Sequence, residues 1–122
     1  MSREMVLKIV LGVVGLLFLW TAYPMVTMIR QEPALAMMLS LYATLGVFLL
    51  LAIRNPQANR SLIAFTGWSS LAHAAVMGFQ GWRAIIPRSE LIGVAILALI
   101  GLVFLALAPA RTVSPSGVLQ AR

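Results

Sequence analysis

The sequence predicts an all-α integral membrane protein, a four-helix bundle whose helices run up-down-up-down. Four long apolar runs occupy most of the 122 residues, and each is bounded by arginine, lysine or proline. Each run is close to the ~20 helical residues that cross a ~30 Å hydrocarbon core. Unpaired backbone groups are costly in hydrocarbon, and the runs lack the alternating polar residues of a barrel strand. Each run is therefore predicted to be a helix.

The composition excludes several classes of protein. The chain is 61% hydrophobic and 10% charged, whereas soluble domains are ~25% charged. We therefore predict a single transmembrane domain over residues 1–112, which accounts for this apolar composition. The net charge is +6, but the basic residues stand singly at the ends of the runs, so we predict no nucleic acid partner. The absence of cysteine excludes thiolate metal sites and thiol catalysis.

The first span covers residues 5–29. It is longer than the ~7–15 residue apolar core of a signal peptide, so we expect it to be retained. Pro24 lies inside it and predicts a kink near its outer end, with a carbonyl freed near residue 20. Gly12 and Gly15 mark the face on which another helix approaches.

The second span covers residues 34–53, and Pro33 is suited to the first position of its helix. The connection before it is short, which predicts antiparallel neighbours. Ala36, Ser40 and Thr44 form a row of small residues, which predicts the packing face of this helix.

The third span, residues 61–80, follows a turn that contains Asn55-Pro56. Ser70, Ala74 and Gly78, with Gly67 one turn before them, form its row of small residues.

The fourth span covers residues 91–108 and carries no polar side chain. Gly93 and the pair Ala98 and Gly101 mark its packing face, and its apolar surface suits a lipid-facing wall or lateral docking. Residues 113–122, which contain serine, proline and glycine, are predicted to be a flexible cytoplasmic tail.

Lysine and arginine are unequally divided between the two ends of the spans. The richer side carries six of these residues: Arg3, Lys8, Arg54, Arg60, Arg111 and Arg122. The poorer side carries three: Arg30, Arg83 and Arg88. The positive-inside rule assigns the richer side to the cytoplasm. We therefore expect both termini to be cytoplasmic.

The third span is the polar one, and its polar residues point to the candidate site. His73 follows Ser69 by four residues and Ser70 by three, and Gln80 is seven residues beyond His73. This spacing places them on one helix face. Polar side chains are costly in lipid, so this face is predicted to point into the bundle.

Matching depths between spans suggests partners for His73. This residue lies roughly 10 Å below the outer surface at ~1.5 Å per residue. Tyr23 in the first span and Ser40 in the second lie at a similar depth, which predicts one buried network. The candidate binding residues are His73, Tyr23, Ser40, Ser69, Ser70 and Gln80.

Several interpretations of His73 stay open. The favoured one is a neutral imidazole that holds helices together through hydrogen bonds, with no cofactor. The others are an axial ligand to haem or to a chlorophyll-type pigment, and a hydrogen-bond partner of a quinone. Thioethers with imidazole suit copper(I); the candidate metal ligands are His73, Met77, Met25 and Met28.

Residues 39–48, 54–56 and 60–77 resemble a small bacterial family of four-span membrane proteins of unknown function, which is broadly similar to DoxX-like proteins. The resemblance implies a multi-pass protein of the bacterial inner membrane. It implies no activity.

These observations predict a non-catalytic membrane protein that is an accessory or stabilising subunit of a larger complex. No span contains a carboxylate, and no catalytic constellation is present in the sequence. The expected partners are the lipid bilayer and other membrane subunits. The alternative is a binder of quinone, pigment, haem or copper at His73.

Overall fold

A computed structural model describes residues 2–110, 112–113 and 119–120 of the protein. Its α-helices are α1 (Arg3–Trp20), α2 (Ala22–Thr27), α3 (Pro33–Ala52), α4 (Arg60–Trp82) and α5 (Leu91–Leu107). Short 3-10 helices at Gln57–Asn59 and Arg88–Glu90 precede α4 and α5. Two-residue strands, β1 (Thr112–Val113) and β2 (Leu119–Gln120), pair antiparallel.

Four helical segments are long and apolar enough to cross a membrane: Arg3–Thr27, Pro33–Ala52, Gln57–Trp82 and Arg88–Leu107. The all-α fold class with four spans is therefore confirmed, and the chain is a multi-pass membrane protein. With α1 and α2 taken together as the first span, the helical segments begin and end within two residues of the predicted apolar runs. Most of the predicted flexible tail lies outside the described residues; the described part forms the short β1–β2 ladder.

Pro24 interrupts the first span as predicted. Helix α1 ends at Trp20, and α2 begins after Thr21. Proline has no backbone N–H, so Pro24 cannot donate the helical hydrogen bond that the Trp20 carbonyl would otherwise accept. The Thr21 hydroxyl lies 2.5 Å from the Phe18 carbonyl oxygen and 3.2 Å from that of Leu39. A single threonine therefore caps the interruption and links it to α3.

The chain divides into two compact units, Met1–Ala58 and Asn59–Arg122. In the first unit α1 and α3 form an antiparallel hairpin. A Cβ on Gly12 would contact Ile53, one on Gly15 would contact Leu50, and Thr21 reaches Leu39. As the residue number in α1 rises, the number of the contacted residue in or next to α3 falls. The two helices therefore run in opposite directions.

The second unit is a hairpin of α4 and α5. A Cβ on Gly67 would contact Leu105, whereas one on Gly81 would contact Leu91. These pairs again fix the antiparallel direction. At the open end of this hairpin the Arg60 Nε donates a hydrogen bond of 2.6 Å to the Pro109 carbonyl.

Each hairpin closes on a pair of facing glycines. A Cβ on Gly46 would lie 2.7 Å from the Gly15 carbonyl oxygen, and one on Gly15 would lie 3.2 Å from the Gly46 oxygen. The corresponding distances for Gly101 and Gly67 are 2.8 and 3.2 Å. Only glycine allows backbones this close, because it has no Cβ. We call these two contacts the glycine seams.

The predicted packing rows are confirmed in α4 and corrected in α3. Gly67, Ser70 and Ala74 are all buried, as expected. In α3 Ala36 is buried but Thr44 is exposed, and the closest approach falls at Gly46 instead. The row is wrong there because the single glycine admits a closer backbone than the row of larger residues does.

A Schellman motif ends α4. The Ile85 N–H donates to the Gln80 carbonyl at 2.8 Å, and the Ala84 N–H donates to the Gly81 carbonyl at 3.2 Å. Ala84 has φ 56° and is the only described non-glycine residue with positive φ. This is the position where helices usually carry glycine. The motif is therefore formed at a conformational cost.

Replacing Ala84 by glycine is expected to stabilise the protein by about 0.5–1 kcal/mol. The left-handed conformation costs alanine roughly 1–2 kcal/mol, and the larger unfolded-state entropy of glycine offsets part of that gain. SDS titration of the purified protein in mixed micelles measures the change. The control is Ala75→Gly inside α4, which is expected to destabilise by about 0.5–1 kcal/mol. If both variants change the free energy of unfolding in the same direction, the proposed strain at Ala84 is contradicted.

Candidate functional site

The polar residues of α4 lie along one side of that helix. Thr66 and Ser70 are 0% and 1% exposed. The half-buried members are Ser69, His73 and Gln80. On the other side of α4, Trp68 and Ala75 are exposed. The polar side is thus the more buried of the two.

Most hydroxyl groups on this side bond to their own helix. The Thr66 hydroxyl donates to the Leu62 carbonyl at 2.8 Å, and the Ser69 hydroxyl donates to the Thr66 carbonyl at 3.3 Å. Such back-bonding satisfies a buried hydroxyl without a partner on another helix. These two residues are therefore adapted to an apolar surrounding and need no ligand.

Ser70 is the exception on this side. Its Oγ is fully buried and has no hydrogen-bond partner among the described residues. Leaving a hydroxyl buried and unpaired costs about 1–3 kcal/mol. This is the one buried side-chain polar atom without a partner in the described part of the chain. It is the polar atom at which a ligand's donor or acceptor would gain most.

Replacing Ser70 by alanine is expected to stabilise the ligand-free protein by about 1 kcal/mol, because the change removes an unpaired buried hydroxyl. SDS titration measures it. Ser69→Ala is the matched control: the Ser69 hydroxyl has a partner, so its removal is expected to change stability by less than about 0.5 kcal/mol. A marked loss of stability in the Ser70 variant alone would show that its hydroxyl has a partner in the purified protein.

His73 follows Ser70 by one helical turn and is half-buried. Met77 lies one turn further on, and its terminal methyl carbon is 3.3 Å from where a Cβ on Gly93 would stand. The Met77 side chain therefore packs against α5. This contact accounts for Met77 by packing, whether or not its sulfur also binds a metal.

The other candidates lie in the first unit. Tyr23 is 67% exposed and stacks on Trp20 at a ring-centroid distance of 6.1 Å. The Ser40 hydroxyl donates to the Met37 carbonyl at 2.6 Å. Of the methionines proposed as metal ligands there, Met25 is half-buried and Met28 is exposed.

The predicted network of His73, Tyr23 and Ser40 joins residues of the two units and stays a prediction. The same holds for a copper site shared by His73 and the first-unit methionines. Over residues 2–110, 112–113 and 119–120, no group of three or more His, Cys, Asp or Glu side chains is placed to hold a metal ion.

Sequence reasoning missed two contacts that shape the first unit. Thr21 links the helix interruption to α3, and its signal was a hydroxyl residue three positions before Pro24. Buried Phe18 meets Tyr42 edge-on, with ring centroids 5.0 Å apart and an interplanar angle of 83°. Such pairs contribute roughly 0.5–1.5 kcal/mol beyond their buried area. Both contacts serve packing.

The four apolar helical segments and the polar side of α4 define a small multi-pass membrane protein. The chain belongs to a family described as a family of unknown function (DUF6632), whose model matches residues 2–121. Neither a curated protein nor a solved structure gives a significant match to the chain.

Proposed function

We propose that this protein is a non-catalytic accessory or stabilising subunit of a larger membrane complex. The observation that carries the proposal is the side of α5 that faces away from α4, which we call the α5 docking face: Ile92, Ile96, Leu99 and Leu102, all exposed. These positions follow helical spacing and form one continuous apolar stripe. The opposite side of α5 holds Gly101, which packs on α4, so the docking face is the side that α4 leaves uncovered.

Further support comes from the small number of reactive side chains. The chain has one histidine, three acidic residues and no cysteine, which leaves few groups for acid–base or nucleophilic chemistry. Lateral packing needs none of these groups. In the membrane it depends on van der Waals fit and on close helix approach.

The proposed location is the bacterial inner membrane, with both termini in the cytoplasm. The excess of lysine and arginine on one side of the spans supports this orientation. The similarity of residues 39–48, 54–56 and 60–77 to bacterial four-span proteins, and more broadly to DoxX-like proteins, supports the location.

The subunit proposal is tested by extraction in a mild detergent and identification of proteins that copurify in fixed stoichiometry. We expect Leu99→Trp to abolish that association, because it places a large ring on the α5 docking face. Val13→Trp is the matched control: Val13 and Leu99 are 62% and 63% exposed, and each lies near the middle of its helix. A protein found reproducibly alone, or equal effects of both variants, would refute the proposal.

A second candidate is a binder of a small ligand at α4, such as a quinone, pigment or haem, or copper. The unpaired Ser70 hydroxyl favours it, because a buried polar atom of this kind gains a hydrogen bond when a ligand supplies one. His73, one turn away, is the ligating or hydrogen-bonding group.

An absorption spectrum, solvent extraction of quinones and metal analysis of the purified protein test this second candidate. Binding predicts a stoichiometric ligand that is lost in Ser70→Ala and His73→Ala while the helix content is retained. A colourless protein free of quinone and metal would exclude it.

A further inference from the structure

The segment that joins α4 to α5 combines exposed apolar side chains with exposed positive charge. Trp82 and Ile85 are 70% and 65% exposed. Arg83 and Arg88 are also exposed, and neither forms an ion pair with a carboxylate in the described part of the chain. The exposed apolar surface is unfavourable in water, whereas the guanidinium groups favour a polar surrounding.

The lengths of the helices place this segment at the membrane boundary. Helix α4 runs from Arg60 to Trp82, a distance of about 33 Å at ~1.5 Å per residue. This closely matches the ~30 Å hydrocarbon core. With Arg60 at one boundary, Trp82 and Arg83 therefore lie at the level of the lipid headgroups on the other side.

The Schellman motif keeps the segment at that level. Because the N–H groups of Ala84 and Ile85 return to the last turn of α4, the chain reverses directly after Trp82 and does not extend into water. A further bond of 2.9 Å from the Glu90 N–H to the Pro87 carbonyl shapes the entry to α5. The positive charges are thus carried by a backbone with little freedom.

We propose that this segment, Trp82 to Arg88, is a binding surface for anionic phospholipid headgroups of the adjacent leaflet. Trp82 and Ile85 occupy the interfacial layer, where tryptophan is favoured. The guanidinium groups of Arg83 and Arg88 bind lipid phosphates, for which their planar donors are well matched. Anionic lipids are preferred over zwitterionic ones, because the two arginines exceed the single acid, Glu90. This surface is independent of the proposed α5 docking face.

The test uses the full chain with Trp20→Phe and Trp68→Phe, which leaves Trp82 as the only tryptophan. Both replaced side chains are exposed, so folding is expected to persist. The protein is reconstituted in phosphatidylcholine vesicles with increasing phosphatidylglycerol, and Trp82 emission is followed. We expect a saturable blue shift whose half-point moves about fivefold higher in phosphatidylglycerol for each of Arg83→Gln and Arg88→Gln.

Arg54→Gln is the control, because Arg54 is another exposed arginine that forms no ion pair within the described residues but lies in the first unit. It is expected to leave the Trp82 response unchanged. Native mass spectrometry of the chain with all its tryptophans should show the same loss of bound phosphatidylglycerol in the double arginine variant.

Three results would overturn the proposal. One is Trp82 emission that does not respond to phosphatidylglycerol. Another is an equal effect of Arg54→Gln. The third is the same response to inorganic phosphate added to phosphatidylcholine vesicles, which would identify a site for a free anion.

Discussion

Gly46→Ala is expected to destabilise the first hairpin by about 3 kcal/mol. The added Cβ would lie 2.5 Å from the Leu19 nitrogen and 2.7 Å from the Gly15 carbonyl oxygen. Both are backbone atoms, so no side-chain rotation relieves the clash and the helices must separate. Overpacking of a tight interface costs typically 1–3 kcal/mol, and more where the backbone itself is in the way.

The free energy of unfolding in SDS-containing mixed micelles measures this effect. Gly12→Ala is the matched control in the same hairpin, because its nearest neighbour would be the Ile53 Cδ1 at 3.5 Å, an ordinary contact. The control is expected to be neutral or to stabilise by up to about 1 kcal/mol through helix propensity. If both variants behave alike, the first glycine seam does not hold this hairpin.

Gly101→Ala is expected to destabilise the second hairpin by about 2 kcal/mol. Its Cβ would meet the Gly67 carbonyl oxygen at 2.8 Å and the Leu71 Cγ at 2.7 Å. The leucine can move but the carbonyl cannot, so the cost is expected to be below that at Gly46. The same SDS titration measures it.

Gly78→Ala is the control in the second hairpin, because a Cβ there would lie 3.5 Å from the Val94 Cγ1. It is expected to change stability by less than about 1 kcal/mol. The order of destabilisation is therefore Gly46 first, then Gly101, with Gly12 and Gly78 least. A larger loss at Gly78 than at Gly101 would contradict the second glycine seam.

The number of spans and the approximate position of each could be predicted from the sequence because hydrocarbon imposes one length on every span. The break before Pro24 was predictable for a similar reason, since proline removes a donor wherever it stands in a helix. Both properties are local. Neither depends on which helix lies next to which.

The glycine seams were harder to predict, because the distance between two helix backbones depends on the residues that both helices place at the contact. The sequence pattern marks Gly15, Gly67 and Gly101 as small packing residues, but in the second span it favours Ala36 and its row over Gly46. One glycine in a leucine-rich helix gives little periodic signal. Its role follows from lying opposite Gly15.

The polar residues of α4 show a second limit of sequence reasoning. Their spacing predicts a shared face, yet it does not show that Thr66 and Ser69 bond to their own helix while Ser70 does not. Rotamer choice decides this, and the rotamers depend on the surrounding packing. The candidate site could thus be located from the sequence, but its one unpaired atom could not.

The glycine seams also bear on how the chain enters the membrane during synthesis. Each seam joins two helices that are consecutive long spans, so both of its partners are synthesised before the following span begins. Both glycines of the Gly15 and Gly46 seam belong to residues 1–58, so they are available to each other once this stretch has emerged from the ribosome. We therefore expect the hairpin of α1 and α3 to be able to form in the membrane while α4 and α5 are still being translated.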